Sequence, residues 1–162
     1  MGMQTDVLSA HATSSGVIVN YRARLKGAIV SANTSAATRN VVFANNTTQA
    51  GTYGRSTTTV TCTITNHGLT TGDRVWLKFT TGGALSGAYA VTVTDDNTFT
   101  VTTVASGTIT TSNVTMYADV LLEVDTYNAT AFTVVIPGEG ILAANGIYVG
   151  LPANVVTTFF YG

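Results

Sequence analysis

Charge is scarce in this chain. Only 9% of its 162 residues are Asp, Glu, Lys or Arg, and the net charge is -1, where a typical soluble domain is about 25% charged. So weak a field, without clustered Lys and Arg, gives no expectation of binding nucleic acid or an anionic membrane surface. Cysteine is scarcer still: Cys62 stands alone, so there is no intrachain disulfide and no two-cysteine metal motif. Long apolar runs are missing too. No window approaches the roughly 18 apolar residues that a membrane span needs, and the opening MGMQTDVLSAHATSSG has neither the basic nor the apolar region of a secretory signal. The expectation is a soluble protein made in a cytoplasm.

The missing charge is replaced by threonine, about a fifth of the chain, a composition that favours strands through β-branching and disfavours long helices. The clearest strand is TTTVTCTIT, Thr57 to Thr65. Val60, Cys62 and Ile64 point one way and the threonines the other, the two-residue period of a half-buried strand. Cys62 is thereby patterned as a small core residue and not as a reactive thiol. The same period returns in Val75-Leu77-Phe79, Tyr89-Val91-Val93 and Phe99-Val101. From Gly16 to Ser31, Val17, Val19, Tyr21, Ala23 and Leu25 alternate with Ile18, Asn20, Arg22, Arg24 and Lys26, which predicts one long strand with the first set toward the core. Val41-Val42-Phe43, Ala118 to Thr126, Ala131 to Ile136 and Asn154 to Tyr161 complete an all-β reading. Asn145-Gly146 between Ile141-Leu142 and Ile147-Tyr148-Val149 is the strongest hairpin signal, because Asn-Gly tolerates the positive φ of a type I′ turn.

The texture changes along the chain. A Thr-dense block, residues 55–115, interrupts a more varied style, which predicts an outer β-sandwich, jelly-roll-like, from residues 1–54 and 116–162, with a small all-β module inserted between two of its strands. Such insertions are tolerated because lengthening a surface loop costs little entropy.

Motifs for chemistry are sparse. His67 lies in the turn Asn66-His67-Gly68 and His11 in a polar N-terminal arm, with no G-x-S-x-G or comparable nucleophile motif. Asp95-Asp96-Asn97 lacks the spaced oxygens of a calcium loop and reads as a tight turn. Pro137-Gly138-Glu139-Gly140 lacks the Lys and following helix of a phosphate cradle. Five N-x-[ST] sequons, at Asn33, Asn45, Asn46, Asn113 and Asn128, are what chance supplies in so Thr- and Asn-rich a chain. No catalytic residue, cofactor site or metal site is assigned, and no enzymatic activity is expected; a rival enzymatic reading would have to use His67 or Asp73. Two charge patterns remain, the stripe Arg22, Arg24, Lys26 and the pair Glu123, Asp125. They form cross-strand ion pairs if their strands are neighbours, or are simply solvated; the sharper alternative is that the basic stripe docks on an acidic partner surface.

Two stretches carry a resemblance. HGLTTGDRVWL (His67 to Leu77) with YAVTVTDDNTFTV (Tyr89 to Val101) resembles a small β-module of tailed-phage structural proteins, one often likened to the first catalytic cysteine half-domain of ubiquitin-activating enzymes. That likeness brings no activity here, because Cys62 matches no catalytic motif. The flanks, Thr5-Asp6-Val7, Ser9-Ala10, Ala12-Thr13 and Ser15-Gly16, then IPGEGI (Ile136 to Ile141), GIYV (Gly146 to Val149) and FFYG (Phe159 to Gly162), are similar to those of small phage virion proteins. The resemblance implies a virion structural protein, a capsid decoration or cement protein first and a tail or neck component second. The implied partners are the major capsid protein or other virion proteins and further copies of the chain, a trimer by analogy. The contact residues expected are Asp6, Val7, Arg22, Arg24, Lys26, Trp76, Phe159, Phe160 and Tyr161. A reading from another class is a carbohydrate-binding module in which Trp76, Tyr89 and Tyr53 stack on sugar.

Overall fold

The computed structural model describes residues 7–32, 39–126 and 130–162, and these residues are all-β. In chain order the strands are β1 (Leu8–Ala12), β2 (Gly16–Val19), β3 (Ala23–Ala32), β4 (Arg39–Asn45), β5 (Thr48–Ser56), β6 (Thr59–Thr63), β7 (Arg74–Phe79) and β8 (Gly87–Ala90). They continue as β9 (Thr92–Asp95), β10 (Thr98–Thr102), β11 (Ile109–Tyr117), β12 (Val120–Thr126), β13 (Ala131–Val135), β14 (Ile141–Ala143), β15 (Ile147–Gly150) and β16 (Val155–Tyr161). They fall into two compact units, one of residues up to Asn46 together with Leu121–Gly162, the other Thr47–Val120.

The first unit is a sandwich of two antiparallel sheets. One runs β1-β16-β3-β13, with β14 also on β3, and the other β12-β4-β15-β2. Their inner faces share one core in which Leu25, Val30, Phe43, Ile147, Val149 and Phe159 are fully buried. Phe43 and Phe159 meet edge to face across it, 5.5 Å between centroids, the arrangement that ring quadrupoles favour. In β4 Val41, Val42, Phe43 and Ala44 are all at 0% exposure, which explains why its sequence is a continuous apolar run without alternation.

Two expectations are corrected in this unit. The stretch Gly16 to Ser31 is not one strand. The chain leaves one sheet after Val19 and enters the other at Ala23, so Val17 and Tyr21 are 45% and 53% exposed while Ala23 and Leu25 are buried. Nor is Asn145-Gly146 the tip of a hairpin. β14 pairs β3, whereas β15 pairs β2 and β4, so the turn carries the chain from one sheet to the other. Gly146 takes φ +100°, and a Cβ there would stand 2.2 Å from the Val19 carbonyl oxygen. The glycine is required by the close approach of β2 beside β15 in the same sheet as well as by the turn.

The second unit is one seven-stranded antiparallel sheet, β8-β7-β11-β5-β6-β10-β9. Its two edge strands, β8 and β9, are separated in the chain by Val91 alone. The sheet must therefore curl until its ends nearly meet. Val91 marks the corner: it donates to the Asp73 carbonyl at 3.0 Å and accepts from the Gly72 amide at 2.9 Å. The concave side is filled by Val60, Cys62, Ile64, Val75, Leu77, Phe99 and Met116, the inward halves of the alternations read from the sequence. Their threonine neighbours Thr59, Thr61 and Thr63 are exposed.

Candidate functional site: uncharged edges of the sandwich unit

The first sheet of the sandwich is bounded by β1 and β13, each with a strand partner on one side only among the described residues. Pairing registers place His11, Thr158, Ile29 and Thr133 in one row across it and Ser9, Phe160, Gly27 and Val135 in the next. Alternation turns both rows away from the core, leaving Ile29 39% and Val135 77% exposed and Phe160 half-buried. Neither row holds an Asp, Glu, Lys or Arg, and no such residue occurs in β1 (LSAHA) or β13 (AFTVV). Beside β1, the edge strand β2 of the other sheet exposes Val17 and Ile18, and Val7, Leu8 and Tyr21 are also about half exposed. An apolar edge without charge is what soluble monomers avoid.

The expected contact residues separate on this frame. Val7 is exposed just before β1, and Arg22 is exposed in the bend between β2 and β3. Arg24 and Lys26 are half-buried and engaged within the chain: Arg24 donates from Nη1 to the Gly140 carbonyl at 3.3 Å, and Lys26 from Nζ to the Glu139 carbonyl at 2.9 Å. They hold down the Pro137 to Gly140 turn. Glu123 and Asp125 lie in the other sheet, on β12, where both accept from Asn40 Nδ2 at 2.6 Å; β3 and β12 are not neighbours. Asp6 lies outside the described residues. Phe159 is corrected. It sits at 0% exposure in the core because β16 runs inside its sheet, and its alternation turns Val155, Thr157 and Phe159 inward. Phe160 faces outward, and Tyr161 packs near Tyr21 at 6.5 Å. A hydrogen bond with Tyr21 raises the Tyr161 phenol above its ordinary pKa.

Trp76 is corrected as well. It is 2% exposed although it faces away from the Val75 and Leu77 side of β7, so its ring offers no platform. Tyr53 is equally buried. Its hydroxyl donates to the Thr81 carbonyl at 2.5 Å and accepts from the Ala84 amide at 3.2 Å. Tyr89 donates to the Leu85 carbonyl at 2.5 Å. Trp76 and Tyr53 are thus buried, whereas Tyr89 is half-buried with its hydroxyl bonded within the second unit.

A shallow cavity of about 200 Å³ in that unit is lined by Asn66, His67, Gly68, Leu69, Val93 and Asp96. His67 uses both ring nitrogens on the backbone: Nδ1 accepts from the Leu69 amide at 3.0 Å, which leaves Nε2 to donate to the Asp95 carbonyl at 2.9 Å. Asp73 accepts from the Thr70 amide through Oδ2 at 2.8 Å. Asp95 accepts from the Asn97 amide at 2.8 Å, the local side-chain to backbone bond of an Asx turn. Cys62 is fully buried, and desolvation pushes its thiol pKa up to about 12. A larger open groove, about 370 Å³, lies where the curled sheet fails to close, between Ala88–Ala90 and Thr100–Thr102.

No family model matches the chain, and no curated protein matches it. Solved structures do. Among them is a chain of the phage phi92 endosialidase, with 19% sequence identity and a TM-score of 0.33, over 85% of this chain and 22% of that one. This chain thus spans about a fifth of the length of that protein. At that level the likeness carries no argument about this chain. One expectation is nevertheless corrected: no enzymatic activity was expected from the sequence, yet the neighbour bears the name of an enzyme, so that expectation is withdrawn. No reaction is assigned to this chain in its place.

Proposed function

We propose that the chain is a structural protein of a tailed-bacteriophage virion, and within it a decoration or cement protein that binds the outside of the major capsid protein shell and stabilises it. The observation that carries the reading is the pair of adjacent uncharged, partly apolar rows on the outer face of the β1-β16-β3-β13 sheet, which hold Ile29, Phe160 and Val135. Although no family model or curated protein matches the chain, the resemblance read in the motifs of the flanking segments points the same way. So does the threonine-covered surface of the second unit, on which Thr59, Thr61 and Thr63 stand where charges are usual. Adhesion of this kind draws on apolar area removed from water, about 25 cal/mol per Å². Many copies on one lattice add avidity to contacts that are weak singly.

The test is to add the purified chain to shells that lack it. The reading expects cosedimentation with the shells and a higher disassembly temperature, both reduced by Ile29→Lys and by Val135→Lys. Binding to isolated tails and not to shells would replace it with a tail or neck role.

A further inference from the structure

The path from edge to edge, β1-β16-β3-β13, has four strands in strict antiparallel order, with β14 a further partner of β3 beyond the end of β13. Its two edges therefore run in opposite directions. When a second copy stands beside the first in the same orientation, its β1 meets β13 of the first antiparallel, the pairing that a sheet extends most readily. The two edges also match in length, five residues each, and in chemistry, since both lack Lys, Arg, Asp, Glu and Pro. One edge of the other sheet is protected: β12 carries Glu123 and Asp125, the charges that normally keep an edge from pairing, whereas its opposite edge β2 is also uncharged but is four residues long. We infer that β1 of one copy adds to β13 of the next, so that copies of this chain assemble head to tail through one continuous sheet. The contact is heterologous and all copies face the same way, so it gives a cyclic ring where the rotation per copy closes and an open filament where it does not, with the outer sheet face repeated along it. Main-chain hydrogen bonds supply the affinity. Exposed Val135, with Ile29 in the next row of the same outer face, supplies the side-chain contact.

The inference stands without a virion role and is tested without one. The full chain is examined by native mass spectrometry and light scattering, alongside three single substitutions at exposed positions: Thr133→Lys on β13, Ser9→Lys on β1 and Val17→Lys on β2. The wild type should be an oligomer. Thr133→Lys and Ser9→Lys should each give the 16.8 kDa monomer with an unchanged circular dichroism spectrum, and Val17→Lys should leave the oligomer intact. A wild type that is monomeric at its solubility limit would overturn the inference. So would an oligomer that survives both Thr133→Lys and Ser9→Lys, or one dispersed by Val17→Lys, which would move the interface to β2.

Discussion

Replacing Gly146 by alanine tests how closely the turn before β15 is packed against β2. The residue sits at φ +100°, where an L side chain costs about 1 to 3 kcal/mol in backbone strain. Its new Cβ would also lie 2.2 Å from the Val19 carbonyl oxygen and 3.0 Å from Asn20 Cα. Both atoms are backbone and cannot rotate away, so β2 must shift against β15, at a cost of about 1 to 3 kcal/mol for overpacking. Together Gly146→Ala should destabilise by about 2 to 6 kcal/mol, a large part of the 5 to 15 kcal/mol a domain typically has. At about 2 to 4 °C per kcal/mol, the calorimetric transition falls by roughly 4 to 24 °C. Gly16→Ala is the control. It begins β2, has no atom within 4 Å of the added Cβ and has no positive φ, so it should be neutral or slightly stabilising. Equal transitions for the two variants would refute the account of this corner.

Cys62 should resist thiol reagents in the folded protein and react only as the chain unfolds, with labelling rates that follow unfolding in denaturant; rapid labelling in buffer would contradict its burial. Because its folded pKa is raised from 9.0 to about 12, the stability due to the buried thiol is fully present below pH 9 and is lost as pH rises toward 12. Tyr53→Phe leaves the Thr81 carbonyl and the Ala84 amide without their shared hydroxyl, and should cost about 1 to 3 kcal/mol, with faster hydrogen exchange at Ala84 as the local readout. Trp76, 2% exposed, should show blue-shifted emission that neither iodide nor added glycans change; a glycan response would restore the sugar-binding reading.

Much of the fold was legible because threonine marks the solvent side so plainly. The alternation through Val60, Cys62 and Ile64 gave strand and inner face together, and the Asp95-Asp96-Asn97 turn followed from side chains that bond their own backbone. Periodicity reports which face is buried, not which sheet a strand joins. That is why Gly16 to Ser31 read as one strand although the chain changes sheets at Asn20 to Arg22, and why Asn145-Gly146 read as a hairpin tip although its flanking strands pair elsewhere. The candidate site was harder. Phe159 and Trp76 looked available because aromatics near a terminus or opposite a core face are often contacts, yet both are buried. Ile29, Val135 and Leu8 were passed over because nothing local distinguishes an edge strand or an outer face from the interior of a sheet. The absence of charge in LSAHA and AFTVV was the one available signal, and it acquires meaning only once the strand order is known.

The central claim, a virion protein spread over the outer shell, is tested most directly by cryo-electron microscopy of purified particles with this chain located and its copies counted. The account predicts density on the outside of the capsid repeated at every lattice position. A single ring at one vertex, or no copy in the particle, would contradict it.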